Sequence, residues 1–245
     1  MRTIYRKFDK HEIAKMPRAF FDGDIKVVTT EQEADEAVDF LLNQSILGVD
    51  TETRPSFQKG VSHKVCLLQV STETTCYLFR LNRTGLTPSI IRLLTDTTIP
   101  KIGLSWHDDL HQLHGRGEFQ PGWFVELQDV ASDFGVQDMS LQKLYANLFH
   151  QKISKTQRLS NWEVEPLKDA QKVYAATDAW ACIQLYKEFQ GLRASGDYEL
   201  LDTNIPEPEV KEEDAVAKEV GTAVKAEEPS DAESETAERV NVANQ

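Results

Sequence analysis

Cysteine is scarce in this sequence. Its 245 residues include three (Cys66, Cys76 and Cys182), an odd number, each inside an apolar segment. A small fold stapled by disulfides is excluded, and the three read as small buried hydrophobes in a reducing compartment. Long apolar runs are missing as well. No stretch approaches the roughly 20 residues that a membrane span needs. The opening MRTIYRKFDKHEIAK has charge but no apolar core of a signal peptide. A soluble, cytoplasmic protein with no membrane partner is expected. Glycine-rich phosphate loops are also absent: neither GxGxxG nor a GxxxxGK run ending in Ser or Thr occurs. Positive charge is in deficit, with 27 basic against 40 acidic side chains and a net charge of −13. A strongly basic nucleic-acid coat or a polybasic membrane binder does not look like this.

The charge is unevenly placed. Residues 206–245 hold 12 acidic and 4 basic side chains, no aromatic residue and no Leu or Ile. Such a segment cannot bury enough apolar surface to offset chain entropy, so it reads as a disordered acidic tail. It serves solubility or, alternatively, docks in place of nucleic acid. At the other end, residues 1–24 read as an arm in which basic residues alternate with Tyr5, Phe8, Phe20 and Phe21. Residues 25–205 are left as the folded, catalytic domain, long enough for a real core.

Within that domain Ile25–Val28 reads as a short strand. Thr30 and Glu33 form a capping box before the helical stripe Ala34, Ala37, Val38, Leu41. Residues 46–53 (ILGVDTET) are apolar enough for a central strand covered on both faces. Residues 65–70 and 76–81 form an antiparallel hairpin across STETT. Pro88 opens a helix through Leu94. Lys101–Ser105 is a fourth strand, followed by a helix that Asp108 caps. Val125–Val130 is a fifth strand. Ser140 caps a further helix, and a long one runs from about Leu167 to Leu192. Strands alternating with helices give an α/β fold with a mixed sheet flanked by helices on both faces.

The acidic residues carry the chemistry. Asp50 and Glu52 end the most apolar strand and, two apart, point to one face. They repel each other unless a cation lies between them, and burial of an uncompensated charge costs several kcal/mol. Simple surface exposure at a strand end is the ordinary alternative. The last helix narrows the choice. Tyr174, Asp178, Cys182, Leu185 and Phe189 share a helix face whose C-terminal part must pack on the sheet. Tyr174 and Asp178 therefore face inward. Asp109, in the turn that carries Leu110 and Leu113, adds a third acidic position. Carboxylates of this kind suit hard cations such as Mg²⁺ or Mn²⁺. Two such ions about 3.5–4 Å apart activate water and stabilise a leaving oxygen in phosphoryl transfer.

DTET with Asp50 and Glu52, GLSWHDDLHQL with Asp109, and YAATD with Tyr174 and Asp178 resemble, in order, the three exonuclease motifs of the DEDD superfamily. The Tyr-x-x-x-Asp spacing resembles its tyrosine branch, which includes ribonuclease D and the Werner-type exonuclease domain. The match covers roughly residues 25–192. SNWEVEPLKDAQKVYAATDAW also resembles the ribonuclease D stretch leading into its third motif. The resemblance implies an RNase H-like fold and metal-dependent 3′-5′ removal of nucleoside 5′-monophosphates from DNA or RNA. It implies that Asp50, Glu52, Asp109 and Asp178 hold two divalent cations, with Asp50 bridging both, and that Tyr174 orients the attacking water. Asp108 and Asp109 are adjacent, and alignment of the glycine-containing strand and the following Leu places the family's Asp on 109. The helical domains that follow the ribonuclease D core have no counterpart here.

Arg54, Phe57 and Trp106 are candidate substrate contacts, either aromatic ring being able to stack a terminal base. Lys59, Lys64, Lys152, Lys155 and Arg158 are candidate phosphate contacts, and Trp162 reads as a core anchor. A zinc site from His107, His111 and His114 is disfavoured beside so many carboxylates. A catalytically quiet nucleic-acid-binding module is the alternative function, and the presence of all four carboxylates argues against it. The sequence leaves DNA against RNA and the oligomeric state open.

Overall fold

The computed structural model describes residues 1–204. The acidic tail expected at 206–245 lies outside the described residues. In chain order the elements are β1 (Arg2–Lys7), α1 (Lys10–Lys15), β2 (Asp24–Val28), α2 (Glu31–Leu41), β3 (Leu47–Glu52), β4 (Leu67–Ser71), β5 (Thr75–Phe79), α3 (Leu81–Thr84), α4 (Pro88–Thr95), β6 (Lys101–Gly103), α5 (Trp106–His114), β7 (Phe124–Glu126), α6 (Leu127–Asp133), α7 (Leu141–Phe149), α8 (Asp169–Ser195) and β8 (Tyr198–Thr203).

Six strands make one mixed sheet in the order β2-β5-β4-β3-β6-β7. The β4–β5 and β3–β4 pairs are antiparallel, and the others are parallel. Alternation along β3 explains the layering. Leu47 and Val49 face a core built with Val38 and Leu41 of α2, Ile90 and Leu94 of α4, and Trp106 and Leu113 of α5. Gly48, Asp50 and Glu52 point to the other face, where α8 packs on β3, β4, β5 and β6. Leu185 and Phe189 of α8 join Leu127, Leu144 and Leu148 in a second core. All three cysteines are free and buried. No helix among the described residues is long and apolar enough to cross a membrane.

The arm is structured. β1 pairs in parallel with β8 in a separate two-stranded sheet, and Ile4 is buried in the same core as Phe134 and Phe189.

Three local expectations need correction. The strand expected at Val125–Val130 stops at Glu126, because the Glu126 side chain accepts from the Gln128 N–H and starts α6 at Leu127. The strand expected at Lys101–Ser105 ends at Gly103. Asp108 is not an N-cap: α5 begins at Trp106, with Ser105 as the cap residue, and Asp108 lies in its first turn.

Candidate active site

The site forms where the C-terminal end of β3 meets the first half of α8. Gly48 allows the meeting. A Cβ built there would lie 2.0 Å from the carbonyl oxygen of Ala179, so only glycine lets α8 come this close to the strand. Ala179 follows Asp178 directly. The contact therefore sets the spacing between the carboxylates of β3 and that of α8.

Asp50, Glu52 and Asp178 each present a carboxylate oxygen, and the three oxygens lie within 4.8 Å of one another. Asp178 is buried, whereas Asp50 and Glu52 are half-buried at the strand end. Each is shifted towards its protonated form. Burial, then the charges of Asp178 and Asp109, holds Asp50 well above the usual carboxylate range. Burial, then Asp50, Asp178 and Asp109, pushes Glu52 up to about 10. Burial lifts Asp178 to about 7, against the opposing influence of its hydrogen bond with Tyr174 and the charge of Lys155. Such crowding is unfavourable without a cation.

Tyr174 lies one helical turn before Asp178 and shares that hydrogen bond. Burial, followed by the charges of Asp178 and Glu52, holds its phenol above the ordinary value. Its hydroxyl is therefore held in the neutral form.

Asp109 is close but set apart. Its Oδ1 accepts a hydrogen bond from the Thr51 hydroxyl at 2.5 Å, and Thr51 faces the opposite side of β3 from its two acidic neighbours. Burial raises Asp109 to about 6, and the Thr51 bond opposes that rise. The structure thus brings together three of the four expected carboxylates and ties the fourth to the strand that carries two of them.

Two residues that sequence reasoning missed support this arrangement. Glu126 accepts from the backbone N–H groups of Ser105 at 2.9 Å and Trp106 at 2.7 Å. It holds Ser105 in the left-handed conformation (φ 66°) from which α5, and with it Asp109, departs. Gln69 is the other. It is directly opposite Asp50 in the β3–β4 register, on the same face, and is fully buried with neither amide atom hydrogen-bonded. The only sequence signal for it was a polar residue inside the apolar run VCLLQV.

The substrate candidates divide. Trp106 is corrected: it is 2% exposed and packs edge-on against Phe124 at 4.8 Å, so no face is free for a base. Phe57 is 84% exposed. Arg54 forms an ion pair with Glu163 at 3.1 Å. An open cleft of about 280 Å³ starts at Tyr174 and Asp178 and runs between Met139–Gln142 and Ile153–Arg158. The charges of Lys155 and Arg158 reach Asp178 and Glu52, respectively. Trp162 is a core residue, as expected.

The donor set fits divalent metal. Its ligands are hard carboxylate oxygens that crowd one another, no lysine or arginine forms an ion pair with any of the four among the described residues, and the orphaned Gln69 amide lies beside Asp50.

Comparison with known proteins agrees with this geometry. A family model described as 3′-5′ exonuclease matches residues 25–192. The chain is 29% identical over 208 residues to a 3′-5′ exonuclease of Arabidopsis thaliana, covering 78% of this chain and 72% of that protein. It is 30% identical over 158 residues to the mouse (Mus musculus) bifunctional 3′-5′ exonuclease/ATP-dependent helicase WRN, covering 62% of this chain but 11% of the mouse protein. Among solved structures, the Aedes aegypti Nibbler EXO domain superposes with a TM-score of 0.66 at 18% identity, covering 75% of this chain and 95% of that one. The last likeness shows the RNase H-like exonuclease fold.

Proposed function

The chain belongs to the 3′-5′ exonuclease family, and from that premise we propose that it shortens DNA or RNA from an exposed 3′ end, releasing nucleoside 5′-monophosphates. The convergence of Asp50, Glu52 and Asp178 beside Tyr174 carries this reading.

Asp50, Glu52 and Asp178, joined by Asp109, would hold two divalent cations, Mg²⁺ or Mn²⁺. When bound, that pair supplies an activated water and charge stabilisation at the leaving 3′ oxygen. The chain's own residues do the rest. Tyr174 orients the attacking water through its hydroxyl, which stays neutral at working pH. Asp178 fixes the direction of that hydroxyl through their shared hydrogen bond. The positive charges of Lys155 and Arg158 at the cleft draw in the phosphate backbone. The buried floor excludes bulk water and strengthens each of these interactions.

The test is Mg²⁺- or Mn²⁺-dependent shortening of 5′-labelled DNA and RNA oligonucleotides from the 3′ end. Asp50→Ala and Asp178→Ala should each abolish it, and covalently closed circles should resist. Robust activity in either variant, or cleavage of circles, would overturn the reading.

A further inference from the structure

The N-terminal arm lies outside the matched family region, yet it reaches the active site. The Ala19 N–H donates to the Lys152 carbonyl and the Lys152 N–H to the Pro17 carbonyl, both at 2.9 Å. Arg18 and Lys152 form a parallel bridge. The Phe21 N–H then donates to the Thr177 hydroxyl at 3.0 Å, one residue before Asp178. Residues 17–21 are thus strapped to Lys152 at one end and to α8 at the other.

Ile153 and Ser154 line two concavities. One is the catalytic cleft with Lys155, Arg158 and Asp178. The other is narrow and is lined by Arg18, Ala19, Phe20 and Thr177. Tyr174 lines both. The cations around them are free: Arg18, Lys155 and Arg158 are exposed, and none has an ion-pair partner among the described residues. Phe20 is 54% exposed although it is large and apolar, whereas its neighbours Ala19 and Phe21 are buried. A largely exposed aromatic ring that shares a concavity with a free arginine, next to a cleft lined by two more free cations and the site for phosphodiester chemistry, has the composition that takes a single strand. The ring stacks a base and the guanidinium meets a phosphate.

We propose that Arg18 and Phe20 bind the nucleic-acid strand, Phe20 stacking a base and Arg18 pairing with a phosphate, so that the arm is a substrate contact of this enzyme. The proposal rests on the exonuclease reading, and its test separates the two. Phe20→Ala, Arg18→Gln and the double variant are compared with wild type in the full chain. Affinity is read by the anisotropy of a fluorescein-labelled single-stranded oligonucleotide in EDTA, where no hydrolysis is required. The double variant should bind about tenfold more weakly, and Arg18→Gln should reduce the salt dependence of binding. Kinetically, kcat/KM for an oligonucleotide should fall about tenfold more than kcat/KM for bis(p-nitrophenyl) phosphate, which has the scissile bond but neither base nor further phosphate. Equal losses on both substrates would mark the arm as a structural strap and overturn the proposal, as would unaltered affinity. A wild-type chain that binds strands but shortens none would overturn the exonuclease reading while leaving the anisotropy result to judge the arm.

Discussion

Thr51 donates a hydrogen bond to Asp109 at 2.5 Å from the face of β3 opposite to that of its neighbours Asp50 and Glu52. The bond favours the ionised form of Asp109, whose value is about 6 even with it. Thr51→Val removes that help and should raise the Asp109 value further. The acid limb of the activity profile should then move to higher pH by roughly half a unit to one unit, with activity recovered near pH 8. A profile superimposable on wild type would show that Asp109 does not govern that limb.

Tyr174→Phe keeps the ring and removes the hydroxyl. Turnover should fall roughly 10²-fold, the usual loss for one positioned hydrogen-bonding group. Mn²⁺ binding measured by calorimetry should remain, because the proposed ligands are untouched. Lost metal binding would contradict the orienting role.

The carboxylates also give the metal-free protein a pH-dependent stability. Their values are raised on folding, so they are neutral in both states only well below their ordinary values, and stability is lost as pH rises from there towards the raised folded values. For Asp178 the window runs from its ordinary 3.8 to about 7. Asp178→Asn should therefore melt higher than wild type at pH 8 without metal, by roughly 3–6 °C, and the gap should narrow towards about pH 4.5 and close only below the ordinary value of 3.8. Divalent metal should stabilise wild type more at pH 8 than at pH 5, since binding requires the ionised ligands. A gap independent of pH would refute the assignment.

Gly48→Ala tests the spacing of strand and helix. The added methyl meets the Ala179 carbonyl, so α8 must move. A stability loss of about 1–3 kcal/mol by denaturant titration is expected, with a disproportionate loss of activity because Asp178 moves with the helix. Full activity in a destabilised protein would show that the spacing is not critical.

Gln69→Met replaces both unpaired amide atoms with an apolar group of similar length. Metal-free stability should hold or rise, since no hydrogen bond of the apo protein is lost. Metal affinity or turnover should fall if the amide serves the loaded site. A variant equal to wild type in both would leave Gln69 as a buried polar residue without a task.

Much of this was legible in the chain. The run ILGVDTET announces its strand by apolar density and its site by two acids at a spacing of two. The face shared by Tyr174, Asp178 and Leu185 follows from helical periodicity, because the same face must be apolar further along. What stayed hidden depends on contacts distant in sequence. The Thr51–Asp109 bond spans 58 residues, and Trp106 could be excluded as a base platform only once Gly103 and Phe124 were seen to enclose it. The strand expected at Val125–Val130 failed because Val and Leu suit strand and helix alike, and Glu126 decided between them by capping. β1 and β8 were missed because each is completed only by the other, nearly two hundred residues away.

The close approach at Gly48 has a further consequence for how the sequence can change. Because β3 meets α8 at Gly48 against the Ala179 carbonyl, with the Ile183 side chain beside it, the gap between Asp50 and Asp178 has a hard stop set largely by main chain. Core residues further along α8, such as Leu185 and Phe189, can exchange for others of different bulk and tilt the far end of the helix while its catalytic end pivots about this stop. The chemistry is mechanically insulated from drift in most of the core and vulnerable at one glycine.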